Sequence, residues 1–355
     1  VKYSDMMIRK KTGAANRKVQ KLMNLMNMET VHVAWDFLKE NGLKALILKS
    51  KHKIQGIDDD YDYAEWWNLT KPSEEELEEQ KKETFEYMPK FSIVIPVYKT
   101  PEKFLKEMLD SIVEQTYANW ELCIADGSPA GESVENVLKK YAEKDARIRY
   151  QVLGENRGIS GNTNAALEMA EGDFIVLADH DDRLAPNALF ECAKKLNENE
   201  NCDVLYSDED KLDMDGDELF DPHFKPDFNP DFLRSINYIC HLVMVRKSLA
   251  EEVGLLRKQC DGAQDYDFLL RCIEKTDRVH HIPKVLYHWR VSDTSTAGNQ
   301  DSKTYAIDAG KLALTEHYAR LGYEAEVDYT GIFIMYKMRL KLKSEPLVTI
   351  LIPNK

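Results

Sequence analysis

The sequence predicts an α/β fold in which a mostly parallel sheet is flanked by helices. Two observations predict it. From Phe91 onward, short apolar runs rich in Ile and Val alternate with amphipathic segments, and acidic residues directly follow some of the runs, as in FIVLADHDD at 174–182. Alternation of buried strands with helices is typical of a parallel sheet covered on both faces. Ligands bind such sheets at the carboxyl ends of the strands, so the acidic residues are expected at a binding site.

The predicted elements follow one another from residue 91. Strands are predicted in FSIVIPVY, WELCIADGS, RIRYQVL and DFIVLAD, and helices in the segments between them, such as GNTNAALEMA. Thr100 is predicted to cap the first helix, with Pro101 at its first position. The acidic run DEDKLDMDGDELFD does not have the ligand spacing of a calcium loop, so Asp215 and Gly216 are predicted to form a hairpin turn.

Composition narrows the classes of function. The chain has 48 basic and 62 acidic residues and a formal net charge of -14, which argues against nucleic acid as a partner. Its six cysteines form no CxxC pair, which favours reduced thiols and a cytoplasmic location. No apolar stretch is long enough to span a membrane.

Residues 1–90 are predicted to form a helical N-terminal extension and connector. Lys2 to Lys21 carry seven basic residues and one acid, with methionines and leucines among and just after them. Such a segment fits an anionic membrane surface at the inner face of the membrane or a helix packed on its own protein, and the sequence leaves both open.

Familiar nucleotide motifs are missing. Glycines at 154, 158 and 161 do not form G-x-G-x-x-G, and no G-K-S/T phosphate loop occurs, which argues against a dehydrogenase and a P-loop NTPase. Aspartates follow two predicted strands, at Asp126 and at 179–182. One such aspartate fits a turn or a helix cap, but the set indicates a hard divalent cation, Mn2+ or Mg2+, that holds a nucleoside diphosphate.

Four segments together resemble the family-2 inverting glycosyltransferases with the GT-A fold. They are FSIVIPVYKTPEKFLKEMLDSIVEQTY, WELCIADGS, ENRGISGNTNAALEMAEGDFIVLADHDDRL and GAQDYDFLLR, in the family's order within residues 91–322. YAEWWNLTKPSEEELEEQKKETFEYMPK resembles the segment before such domains in bacterial multidomain polysaccharide transferases. The resemblance implies metal-dependent, inverting transfer of a sugar from a nucleotide diphosphate sugar to a hydroxyl of a surface polysaccharide or a lipid-linked glycan.

The resemblance also implies site residues. Nucleotide contacts fall on Pro96, Val97, Tyr98, Asp126, Asp179 and Arg290. Metal contacts fall on Asp179, Asp181 and His288, although a histidine in a strand also fits a satisfied core residue. Asp126 would accept a hydrogen bond from the base, but ADGS departs from the commoner VDDGS at Ala125, which leaves base selectivity open. Asp182 fits a metal ligand or a cap on the following helix.

A transferase of this kind needs a base, because a sugar hydroxyl is a poor nucleophile until its proton is removed. The resemblance assigns this role to Asp265 of GAQDYDFLLR, where Gln264 replaces the family's glutamate. Asp267 is the alternative candidate for the base. It also fits a purely structural role in the first turn of the helix.

Two other functions fit the sequence less well. A sugar-1-phosphate nucleotidyltransferase would need a glycine-rich basic loop after the first strand, and VYKTPEKF has no glycine. An inactive carbohydrate-binding module would not need the intact acids at 126, 179, 181 and 265.

The last residues repeat the pattern of the first predicted strand. LVTILIPNK at 347–355 matches FSIVIPVYK at 91–99. Residues 323–355 are therefore predicted to be a linker and the first strand of a second, similar domain, with a lone C-terminal strand as the alternative.

Overall fold

The computed structural model describes residues 63–199, 201–291, 303–332 and 334–353. The predicted membrane-binding segment, like the rest of residues 1–62, lies outside them. The chain divides into two compact units, Val1–Lys71 and Pro72–Lys355. The described part of the first unit holds helix α1 (Tyr63–Thr70). The second unit begins with helix α2 (Glu74–Gln80), which Ser73 and Glu76 start by bonding each other's backbone amides.

Strands and helices alternate after residue 91, as predicted. Their bounds are β1 Phe91–Val97, α3 Glu102–Val113, β2 Trp120–Asp126, α4 Glu135–Lys144, β3 Ile148–Val152, α5 Gly158–Leu167 and β4 Phe174–Leu177. One local prediction is wrong, because Thr100 does not cap α3. Pro101 occupies the cap position and no side chain bonds the helix there. Proline has no amide hydrogen and a fixed φ, which suit it to this helix start.

The second half of the unit adds shorter strands. The bounds are β5 Arg183–Leu184, α6 Ala188–Glu198, β6 Val204–Leu212, β7 Leu219–His223, α7 Pro230–Leu233, β8 Val243–Arg246, α8 Lys247–Val253, a 3-10 turn Lys258–Cys260, α9 Gln264–Ile273, β9 Val279–Arg290, α10 Lys303–Arg320, β10 Ala325–Tyr329 and β11 Tyr336–Leu340. The predicted hairpin turn is confirmed, since β6 and β7 pair antiparallel around Gly216, whose φ is +82°.

A nine-stranded sheet in the described residues has the order β3-β2-β1-β4-β8-β6-β9-β5, with β7 paired to β6. Strands β1, β2, β3 and β4 are parallel, and β6 and β9 are parallel to each other. Strand β8 runs antiparallel to both of its neighbours. Leu177, the last residue of β4, therefore pairs with Val243, the first residue of β8. The loop before β8 consequently reaches the same sheet edge as the loop after β4.

Apolar clusters cover both faces of the sheet. Ile93 and Ile95 of β1 belong to one cluster, while Val94 belongs to the other. Successive side chains of a strand point to opposite faces. The uninterrupted apolar run of β1 is thus explained by burial on both sides, which confirms the predicted arrangement.

Strands β10 and β11 form an antiparallel hairpin beside this sheet. Tyr336 attaches it, since its amide donates to the Ser235 carbonyl at 2.8 Å and its hydroxyl to the Ile307 carbonyl at 3.2 Å. Residues 341–353 form no helix or strand, and Leu347 is 96% exposed. The predicted domain boundary at 322 stays a prediction. Among the described residues, no helix combines the length and apolar character needed to cross a membrane.

Candidate active site

A cavity of about 650 Å³ opens at the carboxyl-terminal edge of the sheet. Its lining includes Pro96 of β1, Asp179 after β4, Glu209 of β6, His241 before β8 and Asp265 of α9. The edge predicted from the strand pattern is therefore the edge where a cavity forms.

Asp179 faces this cavity with little to balance its charge. Its side chain is 47% exposed, and His241 Nε2 lies 3.8 Å from Asp179 Oδ2. Enclosure in the cavity raises the pKa of Asp179, and repulsion from Asp181 and Asp265 adds to this, while His241 partly offsets it. Strongly perturbed carboxylates in a cleft are typical of functional sites.

Asp265 lies in the first turn of α9 and lines the same cavity. Asn237 Nδ2 donates a hydrogen bond to Asp265 Oδ2 at 2.8 Å. The positive end of the helix also favours a carboxylate there. Gln264 bonds its own loop, since its side-chain oxygen accepts the Gly262 amide at 2.8 Å.

The neighbouring Asp267 points into the protein instead. It is fully buried, and its carboxylate accepts hydrogen bonds from Arg257 Nε at 2.9 Å and Arg271 Nε at 3.1 Å. Paired guanidinium groups satisfy the carboxylate. This geometry fits the structural reading of Asp267.

Asp182 anchors strand β9. Its Oδ2 accepts the Tyr287 hydroxyl at 2.6 Å and its Oδ1 accepts the Arg290 amide at 2.7 Å. The helix-cap alternative is wrong, because α6 begins at Ala188 with Asn187 before it.

The structure brings Pro96 to the cavity but not Val97, Tyr98 or Asp126. Asp126 is fully buried, and its carboxylate accepts the Ser128 amide at 2.8 Å and the Ser133 hydroxyl at 2.6 Å. Tyr98 is 40% exposed on the surface.

Arg290 and His288 are also held away from the cavity lining. Arg290 is fully buried, with Nε donating to the Asp181 carbonyl at 2.6 Å and Nη2 to Glu107 at 2.5 Å. His288 places Nδ1 2.6 Å from Asp210 Oδ1. Asp181 does not line the cavity, and its Oδ1 lies 3.6 Å from His180 Nδ1.

Sequence reasoning missed Glu209 and His241. Glu209 belongs to the acidic run whose pattern predicts only a hairpin. His241 belongs to INYICHLVMV, whose pattern predicts no functional role. The signal that could have found Glu209 is the run of charged residues within β6. The first seven residues of this strand, Val204–Asp210, are all buried. Buried charges need partners and therefore mark a packed polar site.

Comparison with known proteins decides the family. The Glycosyl transferase family 2 profile matches residues 92–254. An uncharacterized glycosyltransferase of Methanocaldococcus jannaschii is 30% identical, over 63% of this chain and 76% of its own length. The chain belongs to glycosyltransferase family 2. It is therefore an enzyme that transfers sugars, and the GT-A fold implied by the resemblance is confirmed.

Two other comparisons match this glycosyltransferase to a curated relative and to a solved structure. The O-antigen biosynthesis protein RfbC of Myxococcus xanthus is 35% identical over 83% of this chain. Staphylococcus aureus TarS 1-349, solved in complex with UDP-GlcNAc, has a TM-score of 0.51 and 21% identity over 63% of this chain and 65% of its own, a likeness of fold. The chain spans 23% to 30% of the length of the longer curated relatives that it matches.

Proposed function

We propose that this glycosyltransferase moves a sugar, with inversion, from a nucleotide diphosphate sugar to a hydroxyl of a surface polysaccharide or a lipid-linked glycan. The observation that carries the proposal is that Asp265 and Asp179 face one cavity at the carboxyl-terminal edge of the sheet. One carboxylate is thus available for the acceptor and the other for the donor.

The names of similar proteins support the two substrates. The Myxococcus relative is named for O-antigen biosynthesis, which favours a polysaccharide acceptor. TarS, which shares the fold, was solved with UDP-GlcNAc, which favours a nucleotide diphosphate sugar as donor.

Asp265 would act as the general base. Its carboxylate takes the proton of the acceptor hydroxyl while the hydroxyl oxygen bonds the anomeric carbon and the bond to the diphosphate breaks. A single attack from the face opposite the leaving group inverts the anomeric centre. Asn237 holds one oxygen of Asp265 and leaves the carboxylate oriented toward the cavity.

A divalent cation, Mn2+ or Mg2+, fits the acidic side of the cavity. No group of three or more His, Cys, Asp or Glu side chains forms a complete cage within the part of the chain that the structure describes. Such ions are often bound by one or two carboxylates plus substrate phosphates, and the poorly balanced charge of Asp179, with Asp181 close by, suits that arrangement. When bound, the cation would neutralise the departing diphosphate.

Exchange of Asp265 for Asn tests the assignment of the base. We expect Asp265→Asn to keep its affinity for the donor and to lose transfer by about 100-fold or more, because a base acts on the acceptor alone. Donor affinity is measured by calorimetry and transfer by release of the nucleoside diphosphate.

Asp267→Asn is the matched comparison. It should lower thermal stability, because Arg271 loses its carboxylate partner and Arg257 keeps only Glu316. If folded Asp267→Asn is inactive while Asp265→Asn transfers normally, the assignment is wrong. If neither variant nor the wild type binds any nucleotide sugar, the transferase proposal is wrong.

We also propose that residues 347–355, whose described part forms no strand on its own, become the first strand of a second, similar domain when the rest of that domain is present. The sequence match to β1 supports this. Aligned on the shared Ile-Pro, Val348, Ile350 and Leu351 correspond to the fully buried Phe91, Ile93 and Val94. The exposure of all three apolar side chains fits a strand whose neighbours are missing. Thermal stability of a longer chain with a complete second domain, compared with Ile350→Asp in that chain, tests it. No loss of stability would contradict it.

A further inference from the structure

A buried group of charges fixes the imidazole of His241 in the cavity. Glu209 Oε2 lies 3.2 Å from His241 Nδ1 and 3.5 Å from Lys225 Nζ. Glu209 also accepts the backbone amide of His241, and Lys225 donates to the His241 carbonyl. The Lys225 side chain is wholly buried and that of Glu209 nearly so. Burying such charges costs free energy unless each charge has partners. Here the contacts of Glu209 and Lys225 both help to fix the position of His241.

The orientation of the ring follows from these contacts. Because Nδ1 faces Glu209, Nε2 points away from it and lies 3.8 Å from Asp179 Oδ2. The ring stacks on Tyr287, with 4.9 Å between centroids and 16° between planes. The Tyr287 hydroxyl is itself held by Asp182. A histidine whose Nδ1 is bonded to a carboxylate and whose Nε2 is directed toward another ligand has the arrangement of metal-bound histidines.

His288 offers a comparison within the same protein. Its Nδ1 also faces a carboxylate, Asp210 at 2.6 Å. His288, however, is buried and lines no part of the cavity, whereas His241 and Asp179 both line it. The pairing with a carboxylate therefore does not distinguish His241 from His288. What distinguishes them is that Nε2 of His241 points toward Asp179 in the cavity.

We propose that His241 Nε2 and the carboxylate of Asp179 are two protein ligands of the divalent cation that carries the donor diphosphate, in the place that the sequence assigned to His288. The inference rests on the proposed function. Two protein ligands suffice, because diphosphate oxygens and water complete the coordination of such ions. Glu209 and Lys225 are positioning residues, which act through His241.

Electron paramagnetic resonance of Mn2+ tests the inference without relying on activity. The full chain is titrated with MnCl2 in the presence of UDP, GDP, CDP or dTDP, and spin-echo modulation reports any nitrogen bonded to Mn2+. We expect a histidine nitrogen signal in the wild type, its loss in His241→Gln, and an Mn2+ affinity roughly 10-fold or more lower in that variant. His288→Gln should keep both the signal and the affinity.

A second variant protects the test against misfolding of His241→Gln. The double variant His180→Gln/His288→Gln removes the other imidazoles next to Asp179 and Asp210 and must keep the nitrogen signal. Loss of the signal there, or its survival in folded His241→Gln, overturns the inference.

The remaining outcomes distinguish a failure of the metal-ligand assignment from a failure of the proposed transferase function. Bound Mn2+ without a nitrogen signal overturns the role of His241 and leaves the transferase proposal intact. Equal nucleotide affinity with chelator overturns both the ligand assignment and metal dependence. No binding of any nucleoside diphosphate overturns the proposed function itself.

Discussion

The two edges of the sheet differ in how many hydrogen-bond donors surround a carboxylate and in the direction of its pKa shift. At the amino-terminal edge, Glu121 of β2 accepts hydrogen bonds from Lys90 Nζ at 2.7 Å, Ser92 Oγ at 2.6 Å and Arg149 Nη2 at 2.7 Å. Burial acts to raise the pKa of Glu121, but the hydrogen bonds from Lys90 and Ser92 outweigh it and lower the pKa to about 2.

At the carboxyl-terminal edge, Asp179 has no comparable set of donors among the described residues. Its pKa is raised by desolvation and by Asp181 and Asp265, in spite of His241. One fold thus contains a satisfied carboxylate that stabilises the protein and an unsatisfied one that is left for a ligand. Glu121 is 4% exposed and has several donors, whereas Asp179 is 47% exposed and has few, so burial and hydrogen-bond partners together distinguish the two acids.

The largest effect on stability is expected at the satisfied edge. Glu121→Gln should lower the free energy of unfolding by about 2 kcal/mol, because charge-assisted hydrogen bonds to Lys90 and Arg149 are lost. Urea denaturation measures it. Glu171→Gln is the control, since Glu171 belongs to the same cluster but is 66% exposed, and it should change stability by less than about 0.5 kcal/mol. Equal effects of both variants would remove the contrast between the edges.

Acid should erase the contribution of Glu121. Its folded pKa lies below the ordinary value of 4.5, so its stabilisation is present above about pH 4.5 and is lost as the pH falls through about 2. We expect the stability difference between wild type and Glu121→Gln to shrink over that window. A difference that stays constant down to pH 2 would show that folding does not lower the pKa of Glu121.

The smallest effect is expected at the cavity, with the opposite sign. Asp179→Asn should slightly raise the free energy of unfolding of the metal-free protein, because an unfavourable charge is removed, and solvent screening of this half-exposed side chain keeps the gain small. The same variant should bind nucleoside diphosphate with Mn2+ more weakly, as calorimetry would show. Destabilisation with unchanged nucleotide affinity would place Asp179 among the structural acids.

The sequence predicted the fold well where local pattern and global arrangement coincide. Strands β1 to β4 are continuous apolar runs, and such runs are buried on both faces whatever lies beside them. The antiparallel β8 was not predicted, since VMVR is short and carries no sign of its direction. The pairing partner of a short strand depends on distant segments, so the local sequence does not predict it.

The site was predicted less completely. Asp179 and Asp265 carry sequence signals, because Asp179 follows an apolar strand and Asp265 lies in GAQDYDFLLR, which resembles the family's motif. His241 carries none, since its role depends on Glu209 and Lys225, which lie in other segments and meet it only in the folded chain. Arg290 and His288 show the converse, because residues suited to a ligand by type are bonded to the protein itself.

The late position of β8 in the chain has a consequence for biosynthesis. Strand β4 ends at Leu177, but its neighbour begins only at Val243, so the growing chain presents an open edge of β4 until that segment leaves the ribosome. An open strand edge pairs readily with other chains. Pairing β8 with β4 also closes a long loop, and the loss of chain entropy precedes any stabilising contact. We expect the wall of the cavity that contains His241 to form late in folding, and nascent chains ending before residue 243 to aggregate more readily than chains ending after residue 246.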